Sequence, residues 1–240
     1  MSKVNSNNYI CVSQWLAGAG LECSEEQVQK LSLYMDGILE WNDKVNLTAI
    51  KDPEAFVEKH YIDSLQVLNI ADFQASKTVL DLGTGGGFPG VPLAIMCEDK
   101  ELVLVDSLAK RLKIIDELAE KIGIRNIKTV HGRFEDLAHE ERHREKHELV
   151  LSRAVAEMAV LAEYALPFTS VGGSLIAYKT AGEKLDEEIA AAEKAIKTLG
   201  GELIRIKKVR AEHALVIIKK IKPTPKKYPR KAGTPKKDPL

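Results

Sequence analysis

From Thr78 onward the chain alternates between two periods. Short apolar runs, TVLDLG, ELVLVDS, IKTVHG, ELVLSRA and GSLIAYK, are separated by stretches of helical spacing that open at Pro89 and then span Ala109 to Ile122, Val155 to Leu166 and Glu183 to Leu199. A short apolar run without polar alternation fits a strand covered on both faces, and repeated strand-helix units specify a mainly parallel sheet with helices on either side. The last two runs, ELIRIKKV and ALVIIKKI, follow each other with no helix between them, so they are expected to pair as a hairpin that leaves one strand antiparallel. The expected fold is therefore α/β, with a seven-stranded sheet over residues 73–222. Residues 1–72 read as a helical cap. Ser24 with Gln27 makes a capping box ahead of Val28, Leu31, Met35, Ile38 and Leu39, and Asp52-Pro53 opens a second helix running through Phe56, Val57, Tyr61, Leu65 and Leu68. Residues 223–240 read as a Pro/Lys-rich tail.

Composition narrows the setting. No apolar run among the 240 residues approaches the roughly 18 needed to span a bilayer, and the opening MSKVNSNNYI does not have the form of an export signal. Cys11, Cys23 and Cys97 are odd in number and widely spaced, which suits neither a disulfide framework nor a zinc site and points to the cytoplasm. The net charge of zero hides an asymmetry: Lys219 to Leu240 carries nine Lys/Arg against one acid, leaving 26 basic and 34 acidic residues for the rest. A basic tail on an acidic body suggests that the tail holds a polyanion. Pro223, Pro225, Pro229 and Pro235 would keep it extended, Lys226, Lys227 and Arg230 would meet phosphates, and Tyr228 offers a ring on which a base can stack. The alternative is a solubilising end. Either way the tail is expected to be dispensable for whatever the body binds.

The stretch VLDLGTGGGFPGVPLA, Val79 to Ala94, places Gly83, Gly85, Gly86 and Gly87 directly after an apolar run containing Asp81, and Asp106 follows about twenty residues on. Gly85 to Gly90 satisfies G-x-G-x-x-G, so a dinucleotide must be weighed, as must a bare tight turn. A carboxylate at Asp81 would repel a pyrophosphate over the loop and attract a cation. No G-K-[ST] follows the glycines, which removes a P-loop. S-adenosyl-L-methionine fits better: it has no phosphate, it carries an ammonium and a sulfonium, and Asp106 can accept from both ribose hydroxyls. The fourth strand ends in Leu151-Ser152-Arg153-Ala154, with no N-P-P-Y-like stretch and no cysteine placed as a nucleophile. A lone arginine there suits an acceptor that already owns its lone pair and needs no general base.

These residues, with LEWNDKVNLTAI, HYIDSL, VDSLAKRLKII, HGRFEDL, LSRAVA, LIAYK and KKYPRKAGTPKKDPL, resemble the bacterial small-subunit ribosomal RNA guanine-N7 methyltransferases over nearly the whole chain. The resemblance implies a class I, Rossmann-like methyltransferase fold and methyl transfer to N7 of a guanosine in the 530 loop of 16S rRNA, free or in the 30S subunit. By motif position it implies cofactor contacts from Gly83, Phe88, Phe134, Glu135 and Arg153, beside Asp81, Gly85 and Asp106 from the loop argument. Arg153, Lys179 and His60 would carry the chemistry, and Asn46, Asp63 and Ser64 would border the RNA. A monomer without metal or membrane contact is expected. Phe134 stands where a small residue is usual, which implies a differently shaped adenine pocket. Thr180 in place of glycine and Ala232 in place of proline bear on loop stiffness.

Other readings stay open. A small-molecule methyltransferase of the same fold and a non-catalytic RNA-binding regulator remain as alternatives. His139 to His143 spells H-E-x-x-H, but HEERHREKHE is polar throughout and reads as a solvated connection rather than a metal site. His60 could equally be a satisfied structural histidine paired with a carboxylate.

Overall fold

The helix starts follow the capping chemistry. In the computed structural model, which describes residues 6–42, 44–210 and 212–240, helix α1 (Ser6–Gly18) precedes α2 (Glu25–Asn42). The Ser24 N–H donates to Gln27 Oε1 at 2.9 Å and the Gln27 N–H donates to Ser24 Oγ at 3.2 Å, so two orphan donors at the start of α2 are satisfied reciprocally. Asp52 accepts from the Ala55 N–H at 2.8 Å and starts α3 (Pro53–Phe56). The regular helix expected through Leu68 does not form. Val57–Ile62 widens into a π-helical turn, then α4 (Asp63–Leu65) and, after a break, α5 (Ala71–Ala75) follow. The wide turn carries Lys59 and His60.

The sheet follows in alternation as far as β6: β1 (Thr78–Leu82), α6 (Gly90–Met96), β2 (Glu101–Asp106), α7 (Ala109–Ile122), β3 (Ile127–His131), α8 (Phe134–Leu137), β4 (His147–Arg153), α9 (Met158–Ala165), β5 (Thr169–Thr180), α10 (Glu183–Thr198), β6 (Gly201–Lys208) and then directly β7 (His213–Lys220), with α11 (Thr234–Lys237) last. The seven strands lie in the order β3-β2-β1-β4-β5-β7-β6, with β7 antiparallel to both neighbours and the others parallel, as the sequence predicts. The order reverses between β1 and β4. In an open α/β sheet that reversal opens a crevice at the carboxyl ends of the strands.

Two apolar clusters cover the two faces of the sheet. One joins the cap to the sheet without a seam: Val12, Leu31, Met35 and Phe56 pack in the same cluster as Val79, Leu151 and Ile217. Tyr34, Tyr61 and Tyr178 seal it with hydrogen bonds to the carbonyls of Gly86, Leu31 and Ser64 at 2.9, 2.6 and 2.7 Å. The other cluster includes Leu80, Val150, Leu166 and Ile218, together with Tyr228 from the tail.

The tail is a strap fixed to the body, and two of its expected roles change. Tyr228 is only 7% exposed, so its ring packs in the core and is not free to stack on a base. Arg144 donates to the carbonyls of Thr224, Tyr228 and Pro225, and a ring nitrogen of His139 bonds the Pro229 carbonyl. Arg230 clamps the wholly buried Glu163 of α9 through Nε at 2.9 Å and Nη2 at 2.7 Å, so it is committed to the fold and not to phosphate. Lys226 and Lys227 remain exposed. The HEERH stretch forms turns instead of a helix, and it is not simply solvated, because His143 and His147 are buried and stacked with ring centroids 6.2 Å apart. Among the described residues no three His, Cys, Asp or Glu converge as a metal site.

Candidate functional site

The glycine loop runs from the end of β1 into α6. Gly83, Gly85 and Gly87 all have left-handed backbone, at φ +81°, +58° and +89°. Steric need differs along the loop. A Cβ on Gly87 would lie 2.2 Å from the Tyr34 hydroxyl of the cap, whereas one on Gly83 would lie 2.4 Å from Val155 Cγ2 and 3.5 Å from Phe134 Cζ. Gly83 therefore abuts Val155 and Phe134, and Gly87 faces the cap.

Asp81 sits beneath this loop and not on its open face. Its Oδ2 accepts from the Thr84 hydroxyl at 2.7 Å and from the Gly90 N–H at 2.8 Å, tying the loop to the first turn of α6. Its Oδ1 is buried without a partner among the described residues. Burial pushes the carboxyl up to about 6, against the pull of those two donors. Asp106, at the end of β2, is 5% exposed; its Oδ2 accepts from Gly85 N–H and its Oδ1 from Leu108 N–H, both at 2.9 Å. Each oxygen takes one backbone donor, which leaves each a further acceptor site.

A cleft of about 1060 Å³ opens at the ends of β2, β3 and β4. Ser107 and Leu108 come from β2's end, His131 to Glu135 from the β3–α8 turn, and Val155, Ala156, Glu157, Val160 and Tyr164 from the β4–α9 segment, while Gly233, Lys236, Lys237 and Pro239 of the strap form the remaining wall. Phe134 and Glu135, which the resemblance implies as cofactor contacts, line the cleft, Phe134 against Tyr164 at 5.5 Å between ring centroids. Glu135 accepts the Gly233 N–H at 2.8 Å. Phe88 does not line it. Its ring is 5% exposed inside the cap's aromatic cluster, so any ligand contact from Phe88 falls to its backbone.

A second cleft of about 240 Å³ lies on the other side of the β4 end, lined by Asp63, Arg153, Ala154, Tyr178, Lys179, Thr180 and His213 among others. Ala154, at φ +57°, lines this cleft, and its neighbour Val155 lines the first. The residue between Arg153 and Val155 is thus the partition between the two.

Arg153 is held from three sides: Nη1 donates to the Lys59 carbonyl and to Asp63 Oδ2, each at 2.8 Å, and Nη2 donates to His60 Nδ1 at 3.2 Å. Asp63 also accepts from His213 Nδ1 at 2.6 Å, so Asp63, expected to border the RNA, lines the second cleft and also positions Arg153. His60 stacks on Phe88 at 4.4 Å, and its Nε2 bonds Thr48 Oγ1 at 2.6 Å. Burial, reinforced by Arg153, holds His60 down to about 3. With both nitrogens engaged and the ring neutral, His60 is a positioning residue and not a proton carrier; its partners are Thr48 and Arg153, not a carboxylate. Ser64 is wholly buried and donates to the His60 carbonyl, which removes it from an RNA surface. Lys179 reaches the second cleft but pairs with Glu188 at 2.6 Å and the Ala156 carbonyl at 2.8 Å. Asn46 is exposed on the loop after α2, outside both clefts.

Leu108, Val155, Tyr164, Gly233 and His213 went unread in the sequence. The best available signal was Glu163, an acid inside the apolar helix MAVLAEYA that requires a buried partner.

The sheet order, the loop at the switch point and the cleft beside β4 define a class I methyltransferase fold. Solved structures share it: a putative O-methyltransferase from Klebsiella pneumoniae matches with a TM-score of 0.55 at 13% identity, over 88% of this chain and 96% of that one. TYW2 of P. horikoshii, solved in complex with MeSAdo, matches with a TM-score of 0.51 at 14% identity, over 65% and 60%. The sequence goes further. The profile of the GidB family, rRNA small subunit methyltransferase G, matches residues 27–217. Ribosomal RNA small subunit methyltransferase G of Clostridium novyi (strain NT) is 47% identical over 225 residues, 92% of each chain, and that of Clostridium beijerinckii is 43% identical over 237 residues, 97% of this chain and 98% of its own. The chain belongs to this family.

Proposed function

We propose that the chain transfers the methyl group of S-adenosylmethionine to N7 of a guanosine in the 530 loop of 16S rRNA, acting as a monomer in the cytoplasm. The observation that carries this reading is the pair of clefts meeting at Ala154, which gives donor and acceptor adjoining places across one residue of β4. Among the described residues no helix is long and apolar enough to cross a membrane.

The first cleft fits the cofactor. Asp106 keeps an acceptor site on each oxygen for a ribose diol, Leu108, Val155, Phe134 and Tyr164 offer apolar walls for a purine, and Glu135 and Glu157 have the sign that suits a cation and opposes a pyrophosphate. Bound there, S-adenosylmethionine supplies a methyl group activated by a positively charged sulfur. Gly83 keeps the floor of the cleft open, and Asp81 and Thr84 hold the loop in shape beneath it.

The second cleft accounts for the acceptor. N7 of neutral guanine already carries its lone pair, so no proton has to leave before attack. The side chains agree with that economy, because His60 is neutral and doubly bonded and the Lys179 ammonium is paired with Glu188. What remains is positioning, through an Arg153 guanidinium fixed by Asp63, His60 and the Lys59 carbonyl. Exposed Lys226 and Lys227 on the strap, and Asn46 on the cap, are the RNA contacts this reading retains. The test is tritiated methyl transfer to 16S rRNA and to 30S particles from cells lacking the modification, followed by nucleoside identification. Label in 7-methylguanosine of the 530 loop is the expected result, and label in any other nucleoside overturns it.

A further inference from the structure

The strap wall of the larger cleft raises an electrostatic question. It is pinned by Arg230 on Glu163, by the Gly233 N–H on Glu135 and by the buried Pro235, and it brings Lys236 and Lys237 to the cleft's edge. Both lysines are exposed, and among the described residues no carboxylate lies within ion-pair distance of either. Neighbouring Asp238 pairs with Arg230 instead, its carbonyl taking Nη2 at 2.7 Å and its Oδ2 facing Nη1 at 3.4 Å. The wall therefore presents two positive charges without ion-pair partners to a cleft that also holds Arg133, Glu135 and Glu157 and that, on the function proposed above, receives a cofactor with a net positive charge. Left bare, they oppose it. Covered by phosphate, they do not.

We propose that Lys236 and Lys237 are an RNA-phosphate contact set in the wall of the cofactor cleft, so that RNA and S-adenosylmethionine each tighten the other's binding. The linkage rests on that assignment of cofactor and substrate. A unit charge across a solvent-filled cleft of this size changes affinity by about two- to three-fold, so the two lysines together give about five-fold. Reciprocity requires the same factor in the other direction. The effect is selective by charge. S-adenosylhomocysteine, the product, has lost the sulfonium and is neutral overall, so the lysines neither oppose it when bare nor favour it when covered.

Calorimetric titration of both molecules into the full-length protein tests this, at low salt, with and without a 16S rRNA fragment containing the 530 loop. Wild type should bind S-adenosylmethionine about five-fold more tightly with RNA present, and S-adenosylhomocysteine less than two-fold more tightly. The double variant Lys236→Gln/Lys237→Gln should bind S-adenosylmethionine several-fold more tightly than wild type without RNA, with the RNA effect falling below two-fold. An unchanged double variant overturns the linkage, as does equal tightening of the two molecules by RNA. Loss of all S-adenosylmethionine binding in wild type removes the functional assignment itself, and the linkage with it.

Discussion

The Arg230–Glu163 clamp sets how firmly the strap closes the larger cleft, and a double-mutant cycle measures it. Glu163 is 1% exposed at its side chain and Arg230 22%, with Nε and Nη2 on the carboxylate at 2.9 and 2.7 Å and the Arg230 backbone N–H at 2.8 Å. Arg230→Met keeps the length of the side chain but leaves a buried carboxylate with one backbone donor, a loss of about 3–5 kcal/mol. Glu163→Met leaves an arginine that can still reach water and Asp238, and costs about 1–2 kcal/mol. Replacing both with Met removes the unpaired charge together with its partner and should fall within about 1 kcal/mol of wild type. The coupling energy is then at least about 2 kcal/mol. Urea unfolding followed by circular dichroism reads all four corners. Cofactor titration supplies the functional corner: Gly233 lies three residues beyond Arg230, so Arg230→Met should weaken S-adenosylmethionine binding severalfold, whereas an unattached tail would leave it untouched. Two single variants each within about 0.5 kcal/mol of wild type, with an additive double, would refute the clamp.

Four further outcomes follow from the same geometry. Gly83→Ala must adopt φ +81° and push Val155 aside, so it should lose about 1–3 kcal/mol of stability and at least ten-fold in cofactor affinity, with the added change Val155→Ala recovering part of both. Asp106→Ala should weaken S-adenosylmethionine binding by about 1.5–3 kcal/mol in calorimetry if its oxygens accept the ribose hydroxyls. Burial depresses His147 from 6.5 to about 4, so between those values the unfolded chain takes up a proton that the folded one refuses and stability falls as pH falls. The loss is about 2 kcal/mol at a pH of about 5, and His147→Leu should be missing that part of the urea-unfolding pH profile; an identical profile would rule the ring out. Cys97 lies just past the far end of α6 from the glycine loop, so Cys97→Ala should leave the methylation rate within about two-fold and no covalent RNA adduct should be trapped.

The regular parts of the fold were legible because local chemistry decides them. The capping box at Ser24, the Asp52 cap and the apolar runs of the strands need only neighbours in sequence, and the antiparallel β7 follows from the missing helix between Lys208 and His213. What escaped depends on partners far along the chain. The tail reads as solvated because its anchors are single donors meeting acids 67 and 98 residues away, the Arg230 guanidinium on Glu163 and the Gly233 N–H on Glu135. The expectation that it could be deleted without harm to the body therefore does not survive its packing. In the candidate site, Asp106 and Arg153 were read from their places at strand ends and Glu135 from the resemblance, and the structure sets Glu135 in the larger cleft and Arg153 in the smaller. The roles of His60, Asp63 and Ser64 were not legible, because a π-helical turn decides which way each side chain points and no spacing rule announces one.

The Tyr34 hydroxyl on the Gly86 carbonyl makes the cap a party to the shape of the glycine loop. The loop's left-handed shape at Gly87 is upheld from outside the sheet, by a residue about fifty positions earlier on α2 whose ring also packs edge-on to Phe88 at 6.0 Å. Natural selection acting on methyl transfer therefore reaches into α2, a helix that lines neither of the two clefts. A lesion at Tyr34 would be inherited as a binding defect, although it arises in what looks like scaffolding.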